Sequence, residues 1–370
     1  MKRILIINNI PTPYRNKFYS DLTLYLKAEN ASLDVMFQAE YGSKHLSGEI
    51  PVSWCLEDMN WDFNYYISRS AGKKGHSRRN INLDILLKVL FGRWDIVMFV
   101  PAESLFSWLL VILLRRKKTI LYNEKHIAGM RKKDMFLRPL KRVLWASFDV
   151  IAAPDLNSYT WVTNQCPKLK SAKFIQLRNF IDCVESEYTS NLRNFERAYD
   201  GKRFFLGVGT AEYKGRDSLI EMWAQSKIKD SVLVLVGDSP NLASLRHLTE
   251  ILGIQNEVCF TGNLKQSEVR YLMERCDIFI HSSTYDPNPL VMVEAASLGK
   301  FIVSSTQTGN ALELCGNDGL LFDASKNYSH VLAEAGALEE SYLLKNGSTI
   351  QRRYLSLYNV QNVAKELAII

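Results

Sequence analysis

At 370 residues, 47% hydrophobic and 23% charged, the chain is too long for one ordinary core and fits two globular domains of roughly 150 to 200 residues. Its six cysteines, Cys55, Cys166, Cys183, Cys259, Cys276 and Cys315, form no C-x-x-C pair. They read as reduced residues of a cytosolic protein, which excludes a zinc site and a disulfide framework. Residues 1–180 hold 28 Lys and Arg against 15 Asp and Glu, and the remainder 18 against 24. With an acidic second half and no recognition module, nucleic acid is not the expected partner.

Residues 4–7 read as a first strand, because this apolar run is too short for the core of a secretory signal. Pro11-Thr-Pro-Tyr-Arg15 follows at a strand's carboxyl end, where doubly wound sheets bind ligands. Its two prolines stiffen a turn that aims Tyr14 and Arg15. A helix over 16–26, a strand over 32–37, a helix over 83–90 and strands over 95–100, 119–122, 150–153 and 173–177 complete the alternation of a Rossmann-like parallel sheet. Residues 41–79, rich in aromatic, Gly and basic residues, read as a functional loop or a small strand pair. The apolar stretch 96–114 is interrupted by Pro101, Glu103, Ser104 and Ser107, so it reads as a strand and a buried helix over 105–114, not a membrane span. Asn123-Glu-Lys-His126 lies at another strand end, which makes Glu124 and His126 candidates for acid/base or acceptor-orienting work. Basic residues also cluster at 73–74, 78–79, 115–118, 131–133 and 138–142. Those interleaved with Leu, Phe and Trp over 135–145 suggest a face resting on anionic lipid.

Residues 185–202 are polar and charged and read as an interdomain linker. The second domain then opens with a strand over 204–209 that runs into Thr210-Ala-Glu-Tyr-Lys-Gly-Arg-Asp217 and an amphipathic helix from 219. Such a Gly-rich strand-to-helix turn has the form of a phosphate cradle, with Lys214 as its point charge. Strands over 232–236 and 258–262, helices over 242–252 and 267–276, and a strand over 277–280 follow. Pro287 and Pro289 suit a loop and a first helical turn, and Gly299 suits the left-handed position past a helix end, which predicts a helix over about 289–298. That helix is apolar nearly all round except for Glu294, whose carboxylate needs a partner. Asp286 precedes the helix start, itself an anion site by virtue of its free N–H groups and dipole. One helix is expected from about 348 to the end.

Asp286-x(7)-Glu294, with Ala295 and Gly299-Lys300 after it, resembles the E-x(7)-E segment of the retaining glycosyltransferases of family 4, which have the GT-B fold. Asp stands where the family has its first Glu, and Pro289 where Gly is common. Pro-Thr-Pro-Tyr-Arg is similar to a run in many bacterial members, where it replaces a Gly-Gly loop. Asn179-Phe-Ile-Asp182 resembles the family's exit from its first domain. Gly209 to Gly215 resembles the Gly-Arg…Lys-Gly segment, with Thr210 in the Arg position and a spacing one residue shorter, so both Arg15 and Arg216 stay open as the missing cation. Thr308-Gly-Asn-Ala-Leu-Glu313 and Asp318-Gly-Leu-Leu-Phe322 resemble closing segments of the family. The resemblance covers nearly all the chain and is strongest over 204–322.

What the resemblance implies is an α/β chain with two Rossmann-like parallel-sheet domains facing a cleft. They are an acceptor-side domain over 1–184, a linker over 185–202, a donor domain over 203–347, and a C-terminal helix over 348–370 packed back on the first domain. It puts Glu124 near the reacting carbon and Asp286 by the donor sugar. Glu294 falls at the nucleotide ribose, Asn263 and Leu264 near the base, and Gly209, Thr210, Lys214, Gly215, Asn288 and Leu290 around the rest of the donor. Tyr14, Arg15 and His126 fall on the acceptor or phosphate side. The implied activity moves a sugar, with retention, from a nucleotide-diphosphate donor to a lipid-linked or oligosaccharide acceptor of bacterial surface polysaccharide assembly. A nucleotide-sugar epimerase and a catalytically silent sugar-nucleotide-binding subunit are the alternatives. No cofactor and no metal are expected, since the chain has no D-x-D pair and Lys214 with helix N-termini can neutralise a diphosphate. The expected location is cytoplasmic, peripheral on the inner face of the cell membrane.

Overall fold

The computed structural model describes residues 1–40, 59, 61–69, 82–100, 106, 109–110, 113–114, 117–124, 138–182, 184–190, 192, 199, 201–239 and 241–370. They divide into two units, Met1–Asp182 with Asn359–Ile370, and Cys183–Tyr358.

In the first unit β1 (Lys2–Asn8), α1 (Pro13–Ala28), β2 (Ala31–Phe37), β3 (Asn64–Ile67), α2 (Leu83–Phe91), β4 (Ile96–Val100) and β5 (Lys118–Tyr122) are followed by α3 (Arg138–Trp145), β6 (Val150–Ala153), α4 (Leu156–Gln165) and β7 (Lys173–Gln176). Among the described residues the sheet has the order β3-β2-β1-β4-β5-β6-β7, with every pairing parallel. Ile4, Leu5, Ile6 and Ile7 are all buried, as a continuous apolar run must be when helices cover both faces of a parallel strand. Ile6 lies level with Val35 on one side and Met98 on the other. Strand order reverses at β1, so the carboxyl ends of β1 and β4 form the crevice where open α/β sheets hold ligands.

The second unit repeats the plan with β8 (Arg203–Val208), α5 (Arg216–Ser226), β9 (Ser231–Val236), α6 (Leu242–Ile251), β10 (Val258–Gly262), α7 (Gln266–Arg275) and β11 (Ile278–His281). It continues through α8 (Leu290–Ser297), β12 (Phe301–Ser305), α9 (Ala311–Cys315), β13 (Leu320–Phe322), α10 (Ser329–Ala337) and α11 (Glu340–Leu357). The order β10-β9-β8-β11-β12-β13 is again parallel and reverses between β8 and β11. Its core gathers Phe205, Trp223, Leu235, Ile280, Val303 and Leu332, among others.

Helix α8 begins one residue after its expected start, with Pro289 as cap. It ends in a Schellman turn: Lys300 N–H donates to the Ala295 carbonyl, Gly299 N–H to the Ala296 carbonyl, and Gly299 takes φ +67°. One expectation needs correction. The single C-terminal helix is two, because the chain breaks after α11 and restarts as α12 (Val360–Ala368). Extended Asn359 caps the new start by accepting from Asn362 N–H. Within the stretch read as a linker, Glu187 N–H donates to the Ser267 carbonyl, Thr189 Oγ1 bonds Glu268 at 2.6 Å and Tyr188 packs on Tyr271, so this part is tied to α7. In the stretch read as a lipid face, Leu144 and Trp145 turn inward, Trp145 against Trp161, while Val143 faces out. Residues 41–58, the basic runs at 73–74, 78–79, 115–116 and 131–133, and half of the helix expected over 105–114 lie outside the described residues. Among the described residues no helix is long and apolar enough to cross a membrane.

Candidate functional site

Two loops meet at the reversal point of the second sheet, β8 to α5 and β11 to α8. The first is fastened to the second by its backbone: Thr284 N–H donates to the Tyr213 carbonyl at 2.8 Å, and Ser282 Oγ to the Lys214 carbonyl at 2.8 Å. This fixes Lys214 so that its Nζ lies 2.6 Å from Asp286 Oδ2, with side-chain exposures of 15% and 11%. Gly209 makes the approach possible. Its φ is +133°, and a Cβ there would meet the Lys214 stem at 2.9–3.1 Å, so a side chain would displace the lysine.

Asp286 is braced from its other side by β12 and the turn after it. Gly309 N–H donates to the Asp286 carbonyl at 2.9 Å, and Asp286 forms an isolated parallel bridge with Thr308. His281, the last residue of β11, is buried with Nε2 3.4 Å from Asp286 Oδ2 and 3.0 Å from Ser283 Oγ. Burial alone would push the Asp286 carboxyl up, but the His281 hydrogen bond and the Lys214 ammonium reverse this and hold it below the ordinary carboxylate range. Burial pushes the His281 imidazole down, which keeps it neutral at neutral pH.

The remaining residues of the second unit surround this pair in different ways. Thr210 is half-buried, and its methyl packs against Gly237. Gly215 sits beside the Ser282 carbonyl. Arg216, one of two cations left open by the sequence, bonds the carbonyls of Gly237, at 2.9 Å, and Val236. Its guanidinium is thereby committed to the end of β9, and burial lowers its pKa to about 10. Asn263 accepts from Asp238 N–H at 2.9 Å, with half-buried Leu264 beside it. Asn288 and Asn310 bond each other at 3.0 Å, leaving Asn288 Nδ2 and Asn310 Oδ1 buried without partners. Leu290 opens α8. Glu294 is half-buried, and among the described residues no hydrogen bond reaches its carboxylate. Burial pushes that carboxyl up and the Arg270 guanidinium draws it part of the way back.

In the first unit Tyr14 and Arg15 lie in the first turn of α1, not in the loop before it. Arg15 spans Asn8 Oδ1 at 3.0 Å and Glu124 Oε1 at 2.6 Å. Tyr122 donates to the same Glu124 oxygen at 2.8 Å and lies 3.1 Å from Asn179 Oδ1. Burial alone disfavours the Arg15 charge, but Tyr14 and Glu124 outweigh it and the guanidinium stays charged. Burial, with Glu124 beside it, pushes the Tyr122 phenol well up, so it remains a donor. A pocket here is lined by Tyr14, Arg15, Tyr19, Met98, Tyr122 and Asn179, among others. His126 lies outside the described residues. Sequence reasoning missed Tyr122, hidden as a strand residue, and His281, hidden at the end of an apolar run.

Residues 189–342 match the family model described as Glycosyl transferases group 1. The alpha-monoglucosyldiacylglycerol synthase of Streptococcus pneumoniae is 29% identical over 124 residues, which is 33% of this chain and 28% of that protein. The lipopolysaccharide core biosynthesis glycosyltransferase LpsD of Rhizobium meliloti is 29% identical over 163 residues, 40% of this chain and 45% of that one. The chain thus spans less than half the length of these curated relatives. Among solved structures, Anabaena Alr3699/HepE in complex with UDP superposes with a TM-score of 0.70 at 18% identity, covering 100% of this chain and 98% of that one. The sucrose-phosphate synthase of Thermosynechococcus elongatus does so at 0.66 and 15%, covering 99% and 97%. Two parallel-sheet Rossmann-like domains with these neighbours are the GT-B fold, and the stretch similar to the glycosyl transferases group 1 model, residues 189–342, lies in the second of them.

Proposed function

We propose that this chain is a retaining glycosyltransferase that takes a sugar from a nucleotide-diphosphate donor and gives it to a lipid-linked or oligosaccharide acceptor in bacterial surface polysaccharide assembly. One observation carries the reading: a lysine and an aspartate 2.6 Å apart at the reversal point of the second sheet, beside the free N-terminus of α8. The lysine suits a diphosphate, and the aspartate suits hydroxyls of a donor sugar. Supporting it, HepE is described in complex with UDP and with UDP-glucose. LpsD is named for lipopolysaccharide core and the pneumococcal relative for a glucosyldiacylglycerol, which favours an acceptor from a membrane-bound glycan or lipid. The basic first half fits contact of that unit with an anionic membrane surface.

Thermal unfolding with UDP-glucose, GDP-mannose and ADP-glucose tests the donor. One of them should raise the unfolding temperature of the protein, as ligand linkage requires, and do so less in Lys214→Ala. No shift from any of the three would sink the donor reading. Turnover of the donor to its C2 epimer without an acceptor would replace transfer by epimerisation.

A further inference from the structure

We propose that His281 is a positioning residue that holds the Asp286 carboxylate in place when Lys214 leaves it. The inference deepens the reading of the Lys214–Asp286 pair given above and rests on it. Both Lys214 Nζ, at 2.6 Å, and His281 Nε2, at 3.4 Å, approach the same oxygen, Oδ2. Among the described residues Oδ1 receives no hydrogen bond, so one side of the carboxylate is anchored and the other is presented.

The two anchors differ in how readily they let go. Lys214 hangs on a flexible stem, and a diphosphate is a stronger magnet for an ammonium than one carboxylate. His281 is fixed: it is 2% exposed, ends a strand paired on both sides, and lies nearly parallel to the Phe279 ring at 6.5 Å. A ligand that draws Lys214 away therefore leaves His281 as the donor that keeps Asp286 oriented.

This assigns the imidazole tautomer. A carboxylate only accepts, so a lone pair on Nε2 facing Oδ2 would be repelled. With the proton on Nε2 the ring donates to Ser283 Oγ at 3.0 Å and turns its positive N–H edge toward Oδ2 at 3.4 Å, which suits both neighbours.

Nitrogen-15 spectra of histidine-labelled protein test the assignment, first without any ligand and then with one. The His281 ring, identified by its loss in His281→Gln, should carry its proton on Nε2 at pH 7.5 and keep it there with saturating UDP. A proton on Nδ1 instead would overturn the proposal. The second arm measures turnover of UDP-glucose, GDP-mannose and ADP-glucose, transfer to water included. His281→Leu should lower kcat about tenfold with donor KM changed less than about threefold, and His281→Gln, which keeps an N–H in reach, should recover most of it. Asp286→Asn is run beside them. An impaired Asp286→Asn next to a folded His281→Leu with full kcat would remove this inference alone. Silence of both would remove the reading of the site beneath it.

Discussion

Each unit holds an ion pair of 2.6 Å at the carboxyl ends of its strands, but the two are built on opposite plans. In the first, the cation is the fixed member: Arg15 uses its planar fork to span Asn8 and Glu124, and Glu124 is 35% exposed against 13% for Arg15. In the second, the anion is the fixed member: Asp286 is braced by His281 and Gly309, while Lys214 reaches it along an unbranched stem. The first unit thus offers a carboxylate to whatever enters, and the second offers an exchangeable cation. Under the proposed function a donor with a diphosphate belongs with the second, and a hydroxylic acceptor with the first.

The largest expected effect separates the two acids of the α8 segment. Asp286→Asn should lower kcat/KM for transfer on the order of a hundredfold and leave free nucleotide binding nearly unchanged, because under the proposed function only the sugar touches it. Glu294→Gln should weaken free nucleotide and nucleotide sugar alike, since under the proposed function it loses charge-assisted bonds to ribose. Steady-state kinetics and calorimetry check both, and equal losses of nucleotide affinity would end this division of labour. Next comes Lys214→Ala, expected to weaken the donor interaction by about 1.5 to 3 kcal/mol, the usual worth of a hydrogen bond to a charged group. Unchanged donor affinity in calorimetry would place the exchangeable cation elsewhere.

A smaller effect concerns pH. His281 has a folded pKa below its ordinary 6.5, so its contribution to stability is present above 6.5 and is lost as pH falls toward the folded value. The slope is at most about 1.4 kcal/mol per pH unit. Unfolding followed from pH 7.5 to 5 should show it, and His281→Gln should flatten that part of the curve. Asp286, lowered from 3.8, acts with the same sign only at more acid pH, whereas Glu294, raised from 4.5, adds stability that fades as pH rises through its folded value. The smallest expected effect is none: transfer should survive EDTA, because under the proposed function Lys214 and helix N-termini carry the neutralising charge. Activity lost to EDTA and restored only by Mg or Mn would reverse this.

The parts of the fold legible in the sequence are those set by local physics. Apolar runs such as 4–7 and 232–236 become buried strands, and Gly299 closes α8 where a left-handed residue was expected. The break at Asn359 was hidden because an Asn cap inside a helical pattern looks like any polar surface residue. Strand β3 was hidden in a segment whose Gly and charge content dilute its short Asn64–Ile67 run. Within the site, Lys214 and Asp286 were each visible on their own loops, but their pairing joins positions 72 residues apart, which no periodicity encodes. Arg15 with Glu124 spans 109 residues in the same way, and the anchoring of Arg216 to the end of β9 depends on a neighbouring strand's carbonyls.

The return of the last dozen residues to the first unit has a consequence for the order of events as the chain is made. Helix α12 packs on α1, the Lys2 ammonium bonds the Ala368 carbonyl at 2.5 Å, and Lys118 bonds the Ile370 carbonyl at 2.6 Å. The first unit therefore encloses the second in sequence, and its first and last pieces are separated by the whole of Cys183–Tyr358. During synthesis the second unit has its complete set of residues before the first does, reversing the usual precedence of the N-terminal domain. Until α12 is delivered, the apolar side of α1 that it covers stays open to water. Among the described residues that seam joins positions 366 apart, and the entropy of closing such a loop grows only slowly with its length.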